Sequence, residues 1–107
     1  MKYPELTFFD EYKDGGLELV FFIDETYYHF VFEQILGFLS VSNDRKFLDD
    51  LEFPEDEYML ITKQSRLLED FKEKGLVNEN TAHYAFKCDK ITLHIVSNNE
   101  PIVDSRK

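Results

Sequence analysis

The side chains best suited to binding chemistry lie in one acidic run, DDLEFPEDEY, at positions 49–58. The run contains no Lys or Arg, and its six carboxylates carry −6 of the formal net charge of −10. Carboxylates beside aromatic rings complement a basic protein surface, because charge steers association and a ring then anchors the complex. The sequence therefore predicts a partner-binding segment made of Asp49, Asp50, Glu52, Phe53, Glu55, Asp56, Glu57 and Tyr58. The competing interpretation is that these acids only keep the protein soluble.

The three histidines and the single cysteine give little support for catalysis or metal binding. No HExxH motif, CxxC pair or calcium-loop spacing is present. We expect His83 and His94 on the solvated side of a hairpin, with Cys88 on the core side as an inert thiol. His29 is interpreted as solvated. The sequence thus predicts no catalytic residue, metal or cofactor. A small enzyme or ligand-binding domain that uses His83, His94 and Tyr84 remains as an alternative.

Size and composition are typical of one domain that covers residues 1–107 and builds its own core. Apolar residues make up 43% of the chain, with 11 Phe, and no apolar run approaches the ~20 residues of a membrane helix. A lone cysteine allows no internal disulfide, which is typical of a reducing compartment, so a cytoplasmic location is expected. A net charge of −10 disfavours nucleic acid and anionic membranes as partners and favours a basic protein.

Two elements at the start of the chain are predicted from apolar patterning and turn residues. Stretches 7–9 and 17–23 are β-prone and flank a turn signal at 13–16, which indicates a hairpin. A loop at Gly15-Gly16 pairs Lys13 with Glu18. A loop at Asp14-Gly15 pairs Glu11 with Glu18, a like-charge pair, so the Gly-Gly register is preferred.

Residues 25–40 fit either a helix or a strand. On a helix beginning at an Asp24 N-cap, one polar sector separates from a wide apolar side. On a strand, Tyr28, Phe30 and Phe32 form one apolar face, which their aromatic character favours. Sixteen residues are long for one strand, so helix is the preferred prediction.

The second half of the chain alternates short strands and helices. The predicted elements are a short helix from Ser42 or Asn43 to Pro54, a strand at 58–62, a helix at 65–74 with Ser65 as N-cap and Gly75 as C-cap, a hairpin of 82–88 and 90–96, and a brief edge segment at 101–103. In the short helix, Asp49, Asp50 and Glu52 would lie at the C-terminus, where the helix dipole disfavours anions. That placement favours docking over stability as the reason for the acids.

Together these elements predict an α+β fold, an antiparallel sheet built from two hairpins with two or three helices packed on one face. In size, acidity and lack of catalytic motifs the chain is similar to bacterial immunity proteins, although no residue motif carries the similarity. This implies a small acidic cytoplasmic protein, not an enzyme, that neutralises a basic, nuclease-type toxin by occluding its groove. The alternative is a non-catalytic adaptor or subunit of a larger complex, with homo-oligomers formed through an aromatic-rich face.

Overall fold

The structure, a computed structural model, describes residues 3–43 and 51–106. Strands hold 53% of the described residues and helix holds 8%, so the predicted α+β fold is wrong and the protein is mostly β. The elements are β1 (Glu5–Glu11), β2 (Leu17–Ile23), β3 (Thr26–Phe32), β4 (Ile35–Ser42), β5 (Met59–Thr62), α1 (Arg66–Glu73), β6 (Ala82–Lys87), β7 (Ile91–Ser97) and β8 (Ile102–Arg106). They form two four-stranded antiparallel sheets. The first sheet has the order β1-β2-β3-β8 and the second β4-β7-β6-β5.

The core lies between the two sheets and is filled from alternate positions of their central strands. Its buried side chains include Leu17, Leu19, Phe21, Phe30 and Phe32 from the first sheet and Tyr84, Phe86, Leu93 and Ile95 from the second. Phe86 stacks on Phe21 at a ring-centroid distance of 5.1 Å and meets the edge of Phe30 at 5.0 Å. Burial of these rings is the main force holding the sheets together.

Residues 25–40 form two strands, and the preferred prediction of one helix is wrong. Phe30 and Phe32 point into the core, as the strand alternative required. Asp24 is not an N-cap, because Asp24 and Glu25 form the two-residue turn between β2 and β3, with φ of 52° and 61°. Positive φ at both positions is the signature of a type I′ hairpin turn. The length argument failed because β3 and β4 share the sixteen residues and belong to different sheets.

The first hairpin exists, but its register matches neither predicted alternative. Phe9 faces Leu19 and Asp10 faces Glu18. The turn is longer than two residues, with the Tyr12 N–H donating to the Gly16 carbonyl at 2.8 Å and Gly15 at φ +95°. A like-charge pair is therefore present after all, displaced by one residue from the pair that the prediction avoided.

The helix at 65–74 is confirmed as α1, together with both of its caps. The Ser65 hydroxyl accepts the Leu68 N–H at 3.2 Å. At the other end Gly75 has φ +71°, and the Leu76 N–H donates to the Phe71 carbonyl, which is the Schellman arrangement. Phe71 lies against Gly37 of β4, so α1 crosses the outer face of the second sheet.

The remaining predictions concern the strands of the second half of the chain and the short helix before Pro54. The hairpin of β6 and β7 is confirmed, with Tyr84 facing Ile95 and Phe86 facing Leu93. The strand at 58–62 is confirmed as β5, and the edge segment at 101–103 is the start of β8. Most of the predicted short helix lies outside the described residues, and residues 51–54 have no regular structure. In the part of the chain that the structure describes, no helix is long and apolar enough to cross a membrane.

Candidate functional site

The described part of the acidic run forms a turn before β5, and we call residues 52–57 the acidic turn. The Glu57 N–H donates to the Pro54 carbonyl at 3.1 Å, which closes the turn. Asp56 has φ +63°, the left-handed conformation that a type II turn needs at its third position. Asp tolerates the left-handed region, so the residue at the third position explains the shape, while Pro54 as the first residue supplies the carbonyl that closes the turn.

The four carboxylates of the acidic turn all face solvent. Glu52, Glu55, Asp56 and Glu57 are exposed, and Phe53 is half-buried. Across residues 3–43 and 51–106, no Lys, Arg or His forms an ion pair with any of these carboxylates. The predicted site residues Asp49 and Asp50 lie outside the described residues. The acidic turn therefore displays charge that the described chain does not neutralise.

Tyr58 holds the acidic turn to the core. Its ring centroid lies 6.2 Å from that of Phe21, and its carbonyl accepts the Lys87 N–H at 2.7 Å. Burial raises the pKa of Tyr58, with smaller contributions from Tyr28 and Cys88. Tyr58 was predicted to be part of the contact surface, and the structure places half of it inside the molecule as the anchor of that surface.

A shallow depression of about 290 Å³ lies beside the acidic turn. It is lined by Leu51, Glu52, Leu60, Ile61, Thr62 and Gln64. The Ile61 side chain is 53% exposed, and Glu52 supplies the carboxylate. The lining mixes polar and apolar groups around one carboxylate, which suits the charged head of an incoming Lys or Arg.

A second cluster lies under α1, and the prediction that His83 and His94 are solvated is wrong. Nε2 of His83 lies 3.0 Å from Nδ1 of His94, and Nδ1 of His83 lies 2.9 Å from Oγ of Ser65. The three residues are 0%, 3% and 5% exposed. Both histidines do lie on the face of the hairpin opposite the core, as predicted, but α1 covers that face.

The geometry of this cluster indicates a structural role. Ser65 already accepts the Leu68 N–H, so its hydroxyl joins the start of α1 to the histidine pair. These residues line neither the depression beside the acidic turn nor a second shallow depression next to Tyr12, Gly16 and Phe32. Among the described residues, no group of three or more His, Cys, Asp or Glu could hold a metal ion. A buried polar chain that is hydrogen-bonded end to end positions the helix on the sheet.

Sequence patterning contained a signal for this cluster that the prediction missed. β6 and β7 are buried on both faces, and stretches such as Ala82–Phe86 lack the polar alternation of a half-solvated strand. The apolar side of α1, with Leu68 and Phe71, also needed a surface to cover. Matching these two features would have placed the histidines under the helix.

His29 and Cys88 are the remaining histidine and the single cysteine of the sequence. Nε2 of His29 lies 3.2 Å from the Glu18 carboxylate on the outer face of the first sheet, with the His29 side chain 41% exposed. Its predicted position in a helix is wrong, but it does lie beside a carboxylate. Cys88 is 1% exposed, as expected for a core residue, and burial raises the pKa of its thiol to about 12, with a smaller contribution from Asp89.

The acidic turn thus combines exposed charge with a fixed position on the fold. It is exposed, charged and fixed at one end by Tyr58. The histidine pair, in contrast, is enclosed by α1 and by the second sheet. No protein-family model, curated protein or solved structure matches this chain.

Proposed function

We propose that this chain is a small non-catalytic cytoplasmic domain that binds a basic partner protein through the acidic turn. One observation carries the proposal: four exposed carboxylates stand on a turn anchored by Tyr58, with no cation of the described chain paired to them. A turn that is already ordered loses little conformational entropy on binding. Its charge raises the association rate with a basic surface.

The partner that fits this chemistry best is a nuclease-type toxin. Proteins that bind nucleic acid hold the phosphate backbone with Lys and Arg, so their grooves are basic. Carboxylates that enter such a groove occupy the positions of the phosphates and block substrate. The chain would then act as an immunity protein or antitoxin, with Asp49 and Asp50 extending the negative charge of the run.

The depression beside Glu52 gives the proposed complex a specific contact. A Lys or Arg from the groove would lay its stem against the exposed Ile61 and meet the Glu52 carboxylate. Partly desolvated contacts of this kind govern dissociation, whereas the exposed acids at 55–57 govern encounter. The two sets of residues should therefore affect binding kinetics differently.

A charge reversal tests the proposal. The partner is captured from the source organism on the immobilised chain at low salt, identified, and then measured by surface plasmon resonance against Glu55→Lys, Asp56→Lys, Glu57→Lys. We expect binding to weaken by roughly two orders of magnitude or more, mainly through slower association, and wild-type association to slow as salt rises. Added chain should also inhibit the nuclease activity of the partner at equal stoichiometry.

The matched control reverses three acids on another surface, Asp70→Lys, Glu73→Lys, Glu79→Lys, all exposed. It changes the net charge equally and should leave binding within a few-fold of wild type. Circular dichroism should show both triple variants folded. Binding that survives reversal at 55–57 and does not depend on salt would overturn the acidic turn as the docking site. A captured partner without nuclease activity would overturn the toxin assignment alone.

A further inference from the structure

The outer face of the first sheet carries an apolar patch that crosses all four strands, and we call it the bare face. Strand register places its outward residues in three rows: Glu5, Phe22, Tyr27 and Arg106; Phe8, Val20, His29 and Asp104; and Asp10, Glu18, Val31 and Ile102. Six of these twelve side chains are apolar. Phe8, Tyr27 and Ile102 are 45%, 47% and 57% exposed, and the rings of Phe22 and Tyr27 pack 4.6 Å apart.

The described chain does not supply a cover for this patch. α1 lies on the second sheet, and residues 3–43 and 51–106 contain no other helix. Antiparallel sheets with one solvated face normally place polar residues on it. Apolar side chains at half of the outward positions, on all four strands of such a face, therefore indicate a binding surface.

The charges around the patch are predominantly negative. The three rows contain four carboxylates, Glu5, Asp10, Glu18 and Asp104, against one arginine. Arg106 is already paired with Asp104 at 3.4 Å, and His29 is 3.2 Å from Glu18. Two copies of this face brought together would oppose like charges, which disfavours self-association. A partner with apolar and basic groups would complement it.

The second sheet indicates what shape of partner fits. Its outer face is covered by an amphipathic helix whose Leu68 and Phe71 enter the sheet surface. Four strands spaced about 4.8 Å apart offer a surface wide enough for one α-helix, which is roughly 10 Å across. We propose that the bare face binds an amphipathic helix of a partner protein, with an apolar stripe flanked by Lys or Arg. This surface is separate from the acidic turn.

In the proposed complex, Phe8 and Tyr27 provide the apolar anchors. The Glu18 carboxylate is held in place by the Tyr12 hydroxyl, which donates to it at 3.2 Å. Glu18 and Asp10 would meet basic side chains on one flank of the helix, and Asp104 would meet them on the other.

The probe is a designed peptide with a leucine stripe and lysine flanks at helical spacing, titrated into the ¹⁵N-labelled full chain by NMR. We expect shift changes on outward residues of β1, β2, β3 and β8. Tyr27→Ser should weaken binding about tenfold, as truncation of an interface anchor does. The paired change Glu18→Gln, Asp104→Asn should weaken it several-fold and reduce its salt dependence.

Matched controls lie away from the bare face. Leu76→Ser removes a side chain that is 50% exposed, and Asp70→Asn with Glu73→Gln removes two exposed charges. None of these should change the affinity for the peptide beyond about twofold, because exposed surface substitutions act locally.

Four outcomes would overturn the proposal. A peptide with glutamate in place of lysine that binds equally well would remove the charge argument. Shift changes confined to the acidic turn would place the peptide there, leaving the proposed function intact. Concentration-dependent sedimentation with shifts on the bare face would assign the face to a second copy. Binding of peptide-free chain to anionic phospholipid vesicles through this face would assign it to a membrane.

Discussion

The outer faces of the two sheets differ in what covers them. Each face carries histidine in the middle of a strand, His29 on the first sheet and His83 and His94 on the second. Under α1, His83 is fully buried and hydrogen-bonds to His94 and Ser65. On the bare face, the His29 side chain is 41% exposed, while its Nε2 is buried beside Glu18 at 3.2 Å without a hydrogen bond. Histidine therefore helps to hold α1 on the second sheet and is a partly exposed surface residue on the first.

The difference goes with the cover that α1 provides, since its N-cap Ser65 supplies one of the two partners of His83. A buried imidazole needs partners for both ring nitrogens, and on the covered face His83 finds them in Ser65 and His94. On the bare face, Nε2 of His29 is buried without a hydrogen bond, and the surface around it combines apolar side chains with acidic neighbours. One face is thus covered within the described chain, whereas the other is the face that we propose a partner covers.

The largest expected effect comes from removing a histidine on each face. His83→Ala should lower the free energy of unfolding by about 3 kcal/mol, because it opens a cavity and leaves buried partners unsatisfied. His29→Ala should cost less than about 1 kcal/mol, since its pair with Glu18 is exposed and screened. Urea unfolding at neutral pH measures both values. Equal losses for the two variants would contradict the contrast between the faces.

Several features of this fold were accessible from the sequence because they depend on local chemistry. Ser65 and Gly75 are cap residues whose signals act within one helical turn, and both were predicted. The pairing of Tyr84 with Ile95 follows from a two-residue turn and strict alternation.

The features that the sequence did not predict depend on tertiary packing, that is, on which elements pack against each other. The Asp24-Glu25 turn contains no glycine, so the break between β2 and β3 was interpreted as a helix start. Nothing within residues 25–40 shows that β3 and β4 belong to different sheets. The burial of His83 likewise requires the packing of α1, which is a tertiary property. The position and exposure of the acidic turn were predictable from charge and Pro54, whereas the anchoring role of Tyr58 was not.

The fit between α1 and the second sheet gives the next largest effect. A Cβ at Gly37 would lie 2.5 Å from Cζ of Phe71, so Gly37→Ala forces the ring to move. We expect a loss of about 1–3 kcal/mol in the free energy of unfolding, as for other overpacked sites. Adding Phe71→Leu tests the cause. If the contact is responsible, the double variant will be no less stable than Phe71→Leu alone, and strictly additive losses would contradict it.

The core between the two sheets is enclosed on both sides, and it can be compared with the two outer faces. Its Cys88 gives the smallest expected effect on the free energy of unfolding. Burial raises the pKa of the Cys88 thiol from its ordinary 9.0 to about 12. As the pH rises, the unfolded chain therefore loses the thiol proton before the folded chain does. The contribution of the buried thiol to the free energy of unfolding is complete below pH 9 and disappears as the pH rises towards 12. The loss should reach about 1 kcal/mol by roughly pH 10. The raised pKa values of Tyr58 and Tyr84, both caused mainly by burial, act in the same direction.

Urea unfolding of wild type and Cys88→Ala between neutral pH and pH ~10 measures this loss of unfolding free energy. The variant should show the shallower decline. His29→Ala should decline as steeply as wild type, because the bare face does not enclose the thiol. Parallel declines for wild type and Cys88→Ala would show that the thiol ionises equally easily in the folded and unfolded chain, and that the interior is open to water.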